Sequence, residues 1–200
     1  VQRSPRGRAQ GAQRHVPRLV ARLEVVAILL AAGGGTRFAG PTHKLLAPFR
    51  GRRVVDWAHS SAAASGLPVV VVTGAVEDLG LPGQVHNPRW PEGIATSLQA
   101  GLAVVGPEVD AVVVGLGDQP LIPAEAWRRV AACDAPLAVA LYEGVGRRNP
   151  TRIARSLWPE LPTTGDQGGS ALFQHHDVIP VACPGNPADV DRVEDLEQWS

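Results

Sequence analysis

Two positively charged side chains follow the first apolar run of the sequence and are separated from it by three glycines. The stretch Ala27 to Leu46, AILLAAGGGTRFAGPTHKLL, carries Arg37 and Lys44 seven residues apart. Glycines after a buried strand allow backbone N–H groups to approach an anion closely, because no Cβ intervenes. The pattern therefore predicts a loop that holds phosphate, with two cations to balance its charge.

Spacing separates this loop from two common phosphate-binding motifs. A P-loop requires GxxxxGK followed by Ser or Thr, and the residues after the glycines here do not fit that pattern, which excludes it. The dinucleotide fingerprint GxGxxG has Phe38 where its third glycine should stand, and Asp56 lies in a helical pattern instead of ending a second strand. A glycine-rich turn with solvated cations remains a purely structural alternative.

A carboxylate ends a second apolar run, AVVVGLGDQP, in which Gly117 and Asp118 follow the β-branched residues. Enzymes that transfer phosphate-containing groups need carboxylates for Mg²⁺, because the metal bridges phosphate oxygens and neutralises charge. An aspartate before Gln-Pro is by itself more often a turn residue. In combination with the upstream loop, Asp118 is the predicted metal ligand.

The elements that position these residues alternate along the chain. Apolar runs occupy 25–32, 69–74, 111–118 and 137–144, and segments of helical patterning lie at 52–66, 92–106 and 124–134. This alternation predicts a single α/β domain with a doubly wound, mostly parallel sheet. Ligands bind beyond the carboxyl ends of such strands, which is where the polar residues gather. The last quarter is predicted to be rich in turns, followed by a short strand at 177–184 and a polar helix at 191–199.

Composition limits the classes of protein. The 200 residues, 44% of them hydrophobic, suit one globular domain, and we place it at 23–200. Residues 1–22 contain six arginines and no acidic residue, which predicts a basic, disordered extension. The remaining residues include 13 basic and 19 acidic side chains. No apolar run approaches the roughly 18 residues that span a bilayer. Cys133 and Cys183 show no metal-binding or disulfide pattern, so we expect a protein of the reducing cytoplasm. We expect it to bind neither membrane nor nucleic acid.

Several blocks of the sequence resemble one enzyme family in order. LAAGGGTRFAGPTHKLL resembles the signature LAAGxxxRxG…K of nucleotidyltransferases, and GLGDQPLI resembles the GDxP segment of the molybdenum cofactor cytidylyltransferases within the MobA-like NTP transferases. NPRWPEGIATSLQAGL, RRNPTRIARSLWPELPTTGDQGGSALF and DVDRVEDLE resemble three further blocks of that subfamily, so that the likeness spans about 25–196. The family's Gly-His-Pro is Arg148-Asn149-Pro150 here, and Val193 replaces a proline of the last block.

The resemblance implies a Rossmann-like, GT-A-like nucleotidyltransferase fold. It also implies transfer of CMP from CTP to the terminal phosphate of molybdopterin-bound molybdenum, with release of pyrophosphate and delivery of the product to a molybdoenzyme. Arg37 and Lys44 would be catalytic, and Asp118 with Asp189 or Asp191 would hold Mg²⁺. The expected nucleotide and pterin contacts are Leu30, Ala31, Ala32, Gly33, Gly34, Gly35, Asn87, Gly93, Ser97, Gly117, Asn149, Gly165 and Asp166.

The same motifs leave alternative functions open. LAAG with GDQP resembles the cytidylyl branch, whereas the guanylyl branch more often has LAGG and CDxP, so a guanylyltransferase is the nearest alternative. An NTP transferase for another phosphorylated small molecule comes next, and a non-catalytic carrier of the molybdenum cofactor is the alternative from a different class. Gly165 and Asp166 are expected to cap the following helix, to hold the pterin, or to do both. His175 and His176 are expected to stabilise the end of that helix.

Overall fold

The computed structural model describes residues 24–199, so the extension predicted over 1–22 lies outside the described residues. Within this range the backbone forms nine strands: β1 Glu24–Ala31, β2 Pro48–Phe49, β3 Arg52–Arg53, β4 Val69–Thr73, β5 Gln84–His86, β6 Val109–Leu116, β7 Leu137–Tyr142, β8 Gly146–Ala154 and β9 Ile179–Ala182. The α-helices of the same range are α1 Val54–Ala64, α2 Ile94–Ala103, α3 Ala124–Ala131 and α4 Val193–Gln198. None of these helices is long and apolar enough to cross a membrane.

Seven strands form one sheet in the order β5-β4-β1-β6-β8-β7-β9, and β2 pairs with β3 in a separate hairpin. β1 lies parallel to both neighbours, with Ala27 opposite Val69 of β4 and Val113 of β6. β8 runs antiparallel to β6 and β7, and β9 runs parallel to β7. The predicted α/β fold with a mostly parallel sheet is confirmed. The chain changes direction across the sheet on either side of β1, so a crevice opens at the carboxyl end of that strand.

β1 separates the two halves of the hydrophobic core. Ala27 and Leu29 pack on the side of α1 and α3, whereas Ile28 and Leu30 pack on the side of α2. Because successive side chains of a strand point to opposite faces, a strand covered on both faces must be apolar throughout. Each large side chain buried here contributes about 1.5–3 kcal/mol. The continuous run VVAILLAA is thus the sequence of a central strand, and its rigidity holds the loop that follows.

The last quarter of the chain differs in part from the prediction. The segment around Asn149 was expected in turns, but it lies in β8, because that strand pairs with β6 on one side and β7 on the other. The predicted helix after Asp166 is a 3₁₀ helix over Gly169–Gln174 with Gly168 at its N-cap and His175 at its C-cap. Gly165 and Asp166 precede this helix and do not cap it, which corrects that part of the prediction. The predicted short strand and polar terminal helix are confirmed as β9 and α4.

Candidate active site

The glycine loop leaves the carboxyl end of β1 and is held from both sides. Gly35 adopts φ +61°, a conformation that favours glycine, and a Cβ at Gly34 would lie 3.0 Å from the ring of Trp90. The His43 ring lies 3.0 Å from the carbonyl oxygen of Gly33 through Nε2, while Nδ1 accepts the backbone N–H of Leu45. This pair of contacts places the ring proton on Nε2 and fixes the loop with a neutral histidine.

Burial is also the main reason that His43 stays neutral. Desolvation, helped by the nearby positive charge of Lys44, lowers the pKa of His43 below its ordinary value. A neutral ring donates one hydrogen bond and accepts another, as this position requires. His43 was not among the residues predicted for the site, because no local pattern shows that residue 43 reaches back to residue 33.

The two predicted cations meet the predicted carboxylates in one network. Lys44 Nζ lies 2.5 Å from Asp118 Oδ2 and 3.3 Å from Asp191 Oδ1, and Arg37 Nη1 donates to Asp191 Oδ2 at 2.8 Å. The side chains of Lys44 and Asp118 are 11% and 17% exposed, whereas that of Arg37 is 75% exposed. Desolvation opposes the charged amine, but the charges and hydrogen bonds of the two aspartates prevail and raise the pKa of Lys44. Lys44 is therefore a buried cation inside the cleft, and Arg37 is an exposed one at its mouth.

Backbone hydrogen bonds bring Asp118 and Asp191 together from distant parts of the sequence. Gly117 donates its N–H to the Leu30 carbonyl at 2.8 Å, which places the end of β6 against the end of β1. Val190 is fully buried and donates its N–H to the Asp118 carbonyl at 2.9 Å. Because the segment before α4 is anchored by that apolar residue, Asp191 lies beside Asp118.

The structure distinguishes the two candidate carboxylates near the end of the chain. Asp191 lines the cleft with Lys44, but Asp189 accepts a hydrogen bond from Gln119 Nε2 at 2.6 Å and is absent from the cleft lining. Desolvation and the neighbouring charge of Asp118 raise the pKa of Asp189. Spacing alone left Asp189 and Asp191 equivalent, and the tertiary structure favours Asp191 as the partner of Asp118.

Asp118 also provides an observation that bears on metal binding. Its Oδ1 atom is buried and has no hydrogen-bond partner among the described residues. An unpaired carboxylate oxygen in a buried position is costly unless a ligand satisfies it. No cluster of three His, Cys, Asp or Glu side chains arranged for a metal occurs among residues 24–199. Magnesium requires no such cluster, because it commonly binds one or two carboxylates together with water and phosphate oxygens. Asp118 and Asp191 fit that ion.

The cleft extends from the ion network in the direction of α2. Gly33 to Arg37, Lys44, Asp118 and Asp191 line a cavity of about 260 Å³, together with Leu30 and Ala31. Leu30, Gly33, Gly34 and Asp118 also border a second cavity of about 380 Å³, which Ala32, Trp90, Gly93, Ile94 and Ser97 complete. The glycine loop thus borders both cavities, as expected if phosphates lie in one and the nucleoside in the other.

Two residues predicted on the nucleotide side occupy different positions. Ser97 lines the second cavity, but Asn87 is 3% exposed and donates through Nδ2 to Thr96 Oγ1 at 2.9 Å and Ser97 Oγ at 3.0 Å. Asn87 therefore supports Ser97 from behind the wall of the cavity. Direct contact of either residue with a nucleotide stays a prediction.

The turn before α2 depends on a glycine. Gly93 has φ +106°, and a Cβ there would overlap the backbone of Gly165. The backbone N–H of Gly165 donates to the Glu92 carbonyl at 2.8 Å, and the Gly165 carbonyl accepts from Ala95 at 3.1 Å. These contacts hold the segment containing Asp166 against the start of α2, so that Asp166 borders the second cavity.

A third cavity, of about 230 Å³, lies beyond Asp166 and includes Asn149. Thr151 Oγ1 donates to Asn149 Oδ1 at 3.2 Å, and the Tyr142 hydroxyl donates to the Asn149 carbonyl at 2.9 Å. Arg147 and Arg148 also line this cavity, although neither was predicted as a site residue. Arg148 stands where the family's Gly-His-Pro pattern has its glycine, which was a signal for this residue, whereas Arg147 lies outside that pattern.

Comparison with known proteins agrees with this geometry. A family model described as the MobA-like NTP transferase domain matches residues 27–179. The chain is 30% identical to the nicotine blue oxidoreductase of Paenarthrobacter nicotinovorans over 198 residues, covering 86% of this chain and 94% of the relative. It is also 30% identical to the molybdenum cofactor guanylyltransferase of Mesorhizobium japonicum over 147 residues, covering 67% of each.

Other similarities cover only part of the relative's length or are similarities to solved structures. The bifunctional protein GlmU of Rhizorhabdus wittichii is 36% identical over 130 residues, which cover 58% of this chain and only 28% of GlmU. The crystal structure of Rv0371c from Mycobacterium tuberculosis superimposes with a TM-score of 0.76 at 27% identity, covering 88% of this chain and 97% of that one.

Proposed function

Since this chain belongs to the MobA-like NTP transferase family, we propose that it transfers CMP from CTP to the terminal phosphate of molybdopterin-bound molybdenum. An oxygen of the acceptor phosphate forms a bond to the α-phosphorus of CTP, and the bond between that phosphorus and the pyrophosphate oxygen breaks. The proposal rests on one observation: Lys44 contacts both Asp118 and Asp191 at the end of the glycine loop. A cytoplasmic molybdoenzyme would receive the product.

The chain's own residues supply position and charge. Backbone N–H groups of Gly33 to Gly35 surround the phosphates, and Lys44 remains charged beside them. Arg37 is mostly exposed and exchanges its contact with Asp191 for phosphate oxygens when the triphosphate enters. Negative charge develops on the departing pyrophosphate, and cations already in place stabilise it without reorganisation.

Magnesium is the proposed cofactor, and Asp118 and Asp191 would hold it. When bound, the ion neutralises phosphate charge and orients the triphosphate. The buried and unpartnered Oδ1 of Asp118 supports this role, because an ion there would satisfy that atom. Lys44 contacts both carboxylates and limits their repulsion before the ion arrives.

The proposed chemistry agrees with the absence of a histidine from the cleft. A phosphate acceptor is already ionised near neutral pH, so it needs no general base. No histidine lines any of the three cavities in the described part of the chain. Catalysis then depends on alignment of the two substrates and on charge stabilisation.

CTP is proposed from the resemblance of LAAG and GDQP to the cytidylyl branch. A second candidate, transfer of GMP from GTP, is favoured by the similarity to a molybdenum cofactor guanylyltransferase. An oxidoreductase is favoured by one observation, the match to 94% of the length of a nicotine blue oxidoreductase. The ion network of Arg37, Lys44, Asp118 and Asp191 supports the transferase, because neither a redox reaction nor transport of the cofactor requires paired cations beside two carboxylates.

A pyrophosphate-release assay tests the proposal. The protein is supplied with Mg²⁺, molybdenum cofactor and, in separate reactions, CTP, GTP, ATP or UTP. Release with CTP above the other nucleotides supports the proposed function, and preference for GTP identifies the guanylyltransferase. Binding of a nucleotide without release would favour a carrier or a redox protein.

Matched variants connect that activity to the site. Asp118→Asn removes the charge while retaining the shape, and we expect it to abolish release. Asp134→Asn makes the same change at an exposed position in the loop between α3 and β7 and should retain full activity. Equal activity in the two variants would refute the assignment of Asp118.

A further inference from the structure

The third cavity combines an apolar surface with unpaired positive charge. Leu30, Val114, Leu116 and Val139 contribute apolar walls from β1, β6 and β7, and Phe173 contributes an aromatic ring. The cavity adjoins the proposed nucleotide cavity, with which it shares Leu30, Ile94, Leu116 and Asp166. With the first cavity, which contains Lys44 and Asp118, it shares the residue Leu30 alone. A ligand in the third cavity therefore lies beside the nucleoside and can extend to the reaction centre.

Two adjacent arginines border this cavity at the start of β8. Arg147 pairs with Leu141 and Arg148 with Ala140 across the antiparallel contact with β7. The register shifts between Val139 and Ala140, and irregularities of this kind redirect side chains near functional sites. Both arginines are exposed and both line the cavity.

The charge of these arginines is not neutralised within the described protein. No carboxylate of residues 24–199 forms an ion pair with Arg147 or Arg148, and Arg148 Nη1 donates to the backbone carbonyl of Arg147 at 2.8 Å. By contrast, Arg128 and Arg129 on α3 both pair with Glu125. Two unpaired guanidinium groups beside an apolar wall suit a ligand that has an apolar body and a negative group.

Asp166 gives this ligand a direction. Asp166 borders both the second and the third cavity, whereas Arg147 and Arg148 line only the third. Negative charge of a ligand is repelled by Asp166 and attracted to the two arginines. A carboxylate also accepts hydrogen bonds from ring N–H groups, so a heterocyclic body with donors suits the junction.

We infer that Arg147 and Arg148 bind a second anionic group of the acceptor, separate from the phosphate that reacts. This inference rests on the proposed function and narrows its substrate class to a phosphorylated heterocycle with negative charge at two places. Molybdopterin-bound molybdenum belongs to this class, since its oxo-metal group is anionic. A sugar phosphate, with hydroxyl groups in place of the second charge, does not.

Steady-state kinetics test the inference. The variant Arg147→Gln/Arg148→Gln should raise the KM for the molybdenum cofactor about tenfold to a hundredfold, as expected for loss of charge-assisted hydrogen bonds. The Kd for CTP should remain as in the wild type. Arg128→Gln/Arg129→Gln removes an equal charge at exposed positions of α3 and should change neither quantity. An unchanged cofactor KM in the first variant would overturn the inference.

A binding measurement separates this inference from the proposed function. Equilibrium dialysis with the molybdenum cofactor alone, followed by molybdenum quantification, requires no turnover. If the wild type releases no pyrophosphate but binds the cofactor, and the arginine variant binds it more weakly, the proposed function fails and the inference stands. Equal binding by wild type and variant, or no binding by the wild type, overturns it. Thermal unfolding of each variant verifies that it is folded.

Discussion

Replacement of Lys44 by methionine tests both the stability and the chemistry assigned to the ion network. Met retains most of the apolar length of the side chain and removes the charge. Asp118 would then lose the partner of Oδ2, while its Oδ1 already has no partner among the described residues. A carboxylate that is only 17% exposed would be left with neither oxygen paired in the cleft.

The expected loss of stability follows from this burial. Removal of one member of a buried ion pair costs about 3–5 kcal/mol, and the partial exposure of Asp118 reduces this cost to about 2–3 kcal/mol. For a chain of this length, each kcal/mol lowers Tm by about 2–4 °C, so we expect Lys44→Met to unfold about 5–10 °C below the wild type. The double variant Lys44→Met/Asp118→Asn removes both charges and should recover most of that loss.

Activity should respond differently from stability. Pyrophosphate release should fall by about a hundredfold or more in Lys44→Met, the scale for loss of one group that stabilises transition-state charge. It should remain absent in the double variant, although that variant is more stable. Arg37→Ala, which changes an exposed partner of the same network, should lower the rate on a similar scale with little change in Tm.

Chemical labelling provides a direct measurement of the same contact. Lys44 is the only lysine of the 200 residues, so an amine-directed acylating reagent modifies the chain at Lys44 and the terminal amine alone. Mass spectrometry should show that CTP with Mg²⁺ protects Lys44 and leaves labelling of the terminal amine unchanged. Wild-type Tm and rate in Lys44→Met, or a double variant no more stable than the single one, would refute the reasoning.

Three further perturbations test the surrounding positions. Gly93→Ala should lower the free energy of unfolding in urea by about 3 kcal/mol or more, because the added Cβ overlaps the facing backbone at a positive φ. Gly80→Ala, at φ +65° in open space, should lower it by about 1–2 kcal/mol. Equal losses in the two variants would contradict the overlap. Folding lowers the pKa of His43, so the unfolded chain binds this proton more tightly and stability falls as the pH drops below about 6.5. His43→Gln should reduce this loss of stability between about pH 7.5 and 5.5. An identical slope of stability against pH in the variant and the wild type would disprove the role of His43. Asp191→Asn should weaken Mg²⁺ binding, measured by calorimetry with nucleotide present, by at least about tenfold. Asp189→Asn should leave Mg²⁺ binding nearly unchanged. Weaker binding in Asp189→Asn than in Asp191→Asn would assign the metal to Asp189.

Much of the fold could be predicted because its signals are local. A central strand covered on both faces must be apolar at every position, and β1 has that composition. A loop that surrounds phosphate needs glycine, and the glycines follow β1 directly. Parallel strands place their carboxyl ends at one edge, so Asp118 was expected near Arg37 and Lys44. Lys44 does pair with Asp118, whereas Arg37 pairs with Asp191.

β8 was missed for an identifiable reason. Its sequence contains Gly146, charged residues and Pro150, which are uncommon in strands, and its extended conformation results from pairing with β6 and β7. Tertiary contacts here override local preference. The same strand places Arg147 and Arg148 at the third cavity, so their position could not be predicted without it.

The sequence by itself determined the strand, the glycine loop and the types of charge at its end, since each of these depends on residues close together in the chain. Only the tertiary structure placed Asp191, and not Asp189, in the cleft beside Lys44, placed Asn87 behind Ser97, and connected His43 to the loop. Those outcomes depend on which backbone groups pair across long separations, as Val190 does with Asp118. Spacing along the chain contains no information about such pairings, because they form only when the sheet and its covering helices pack together.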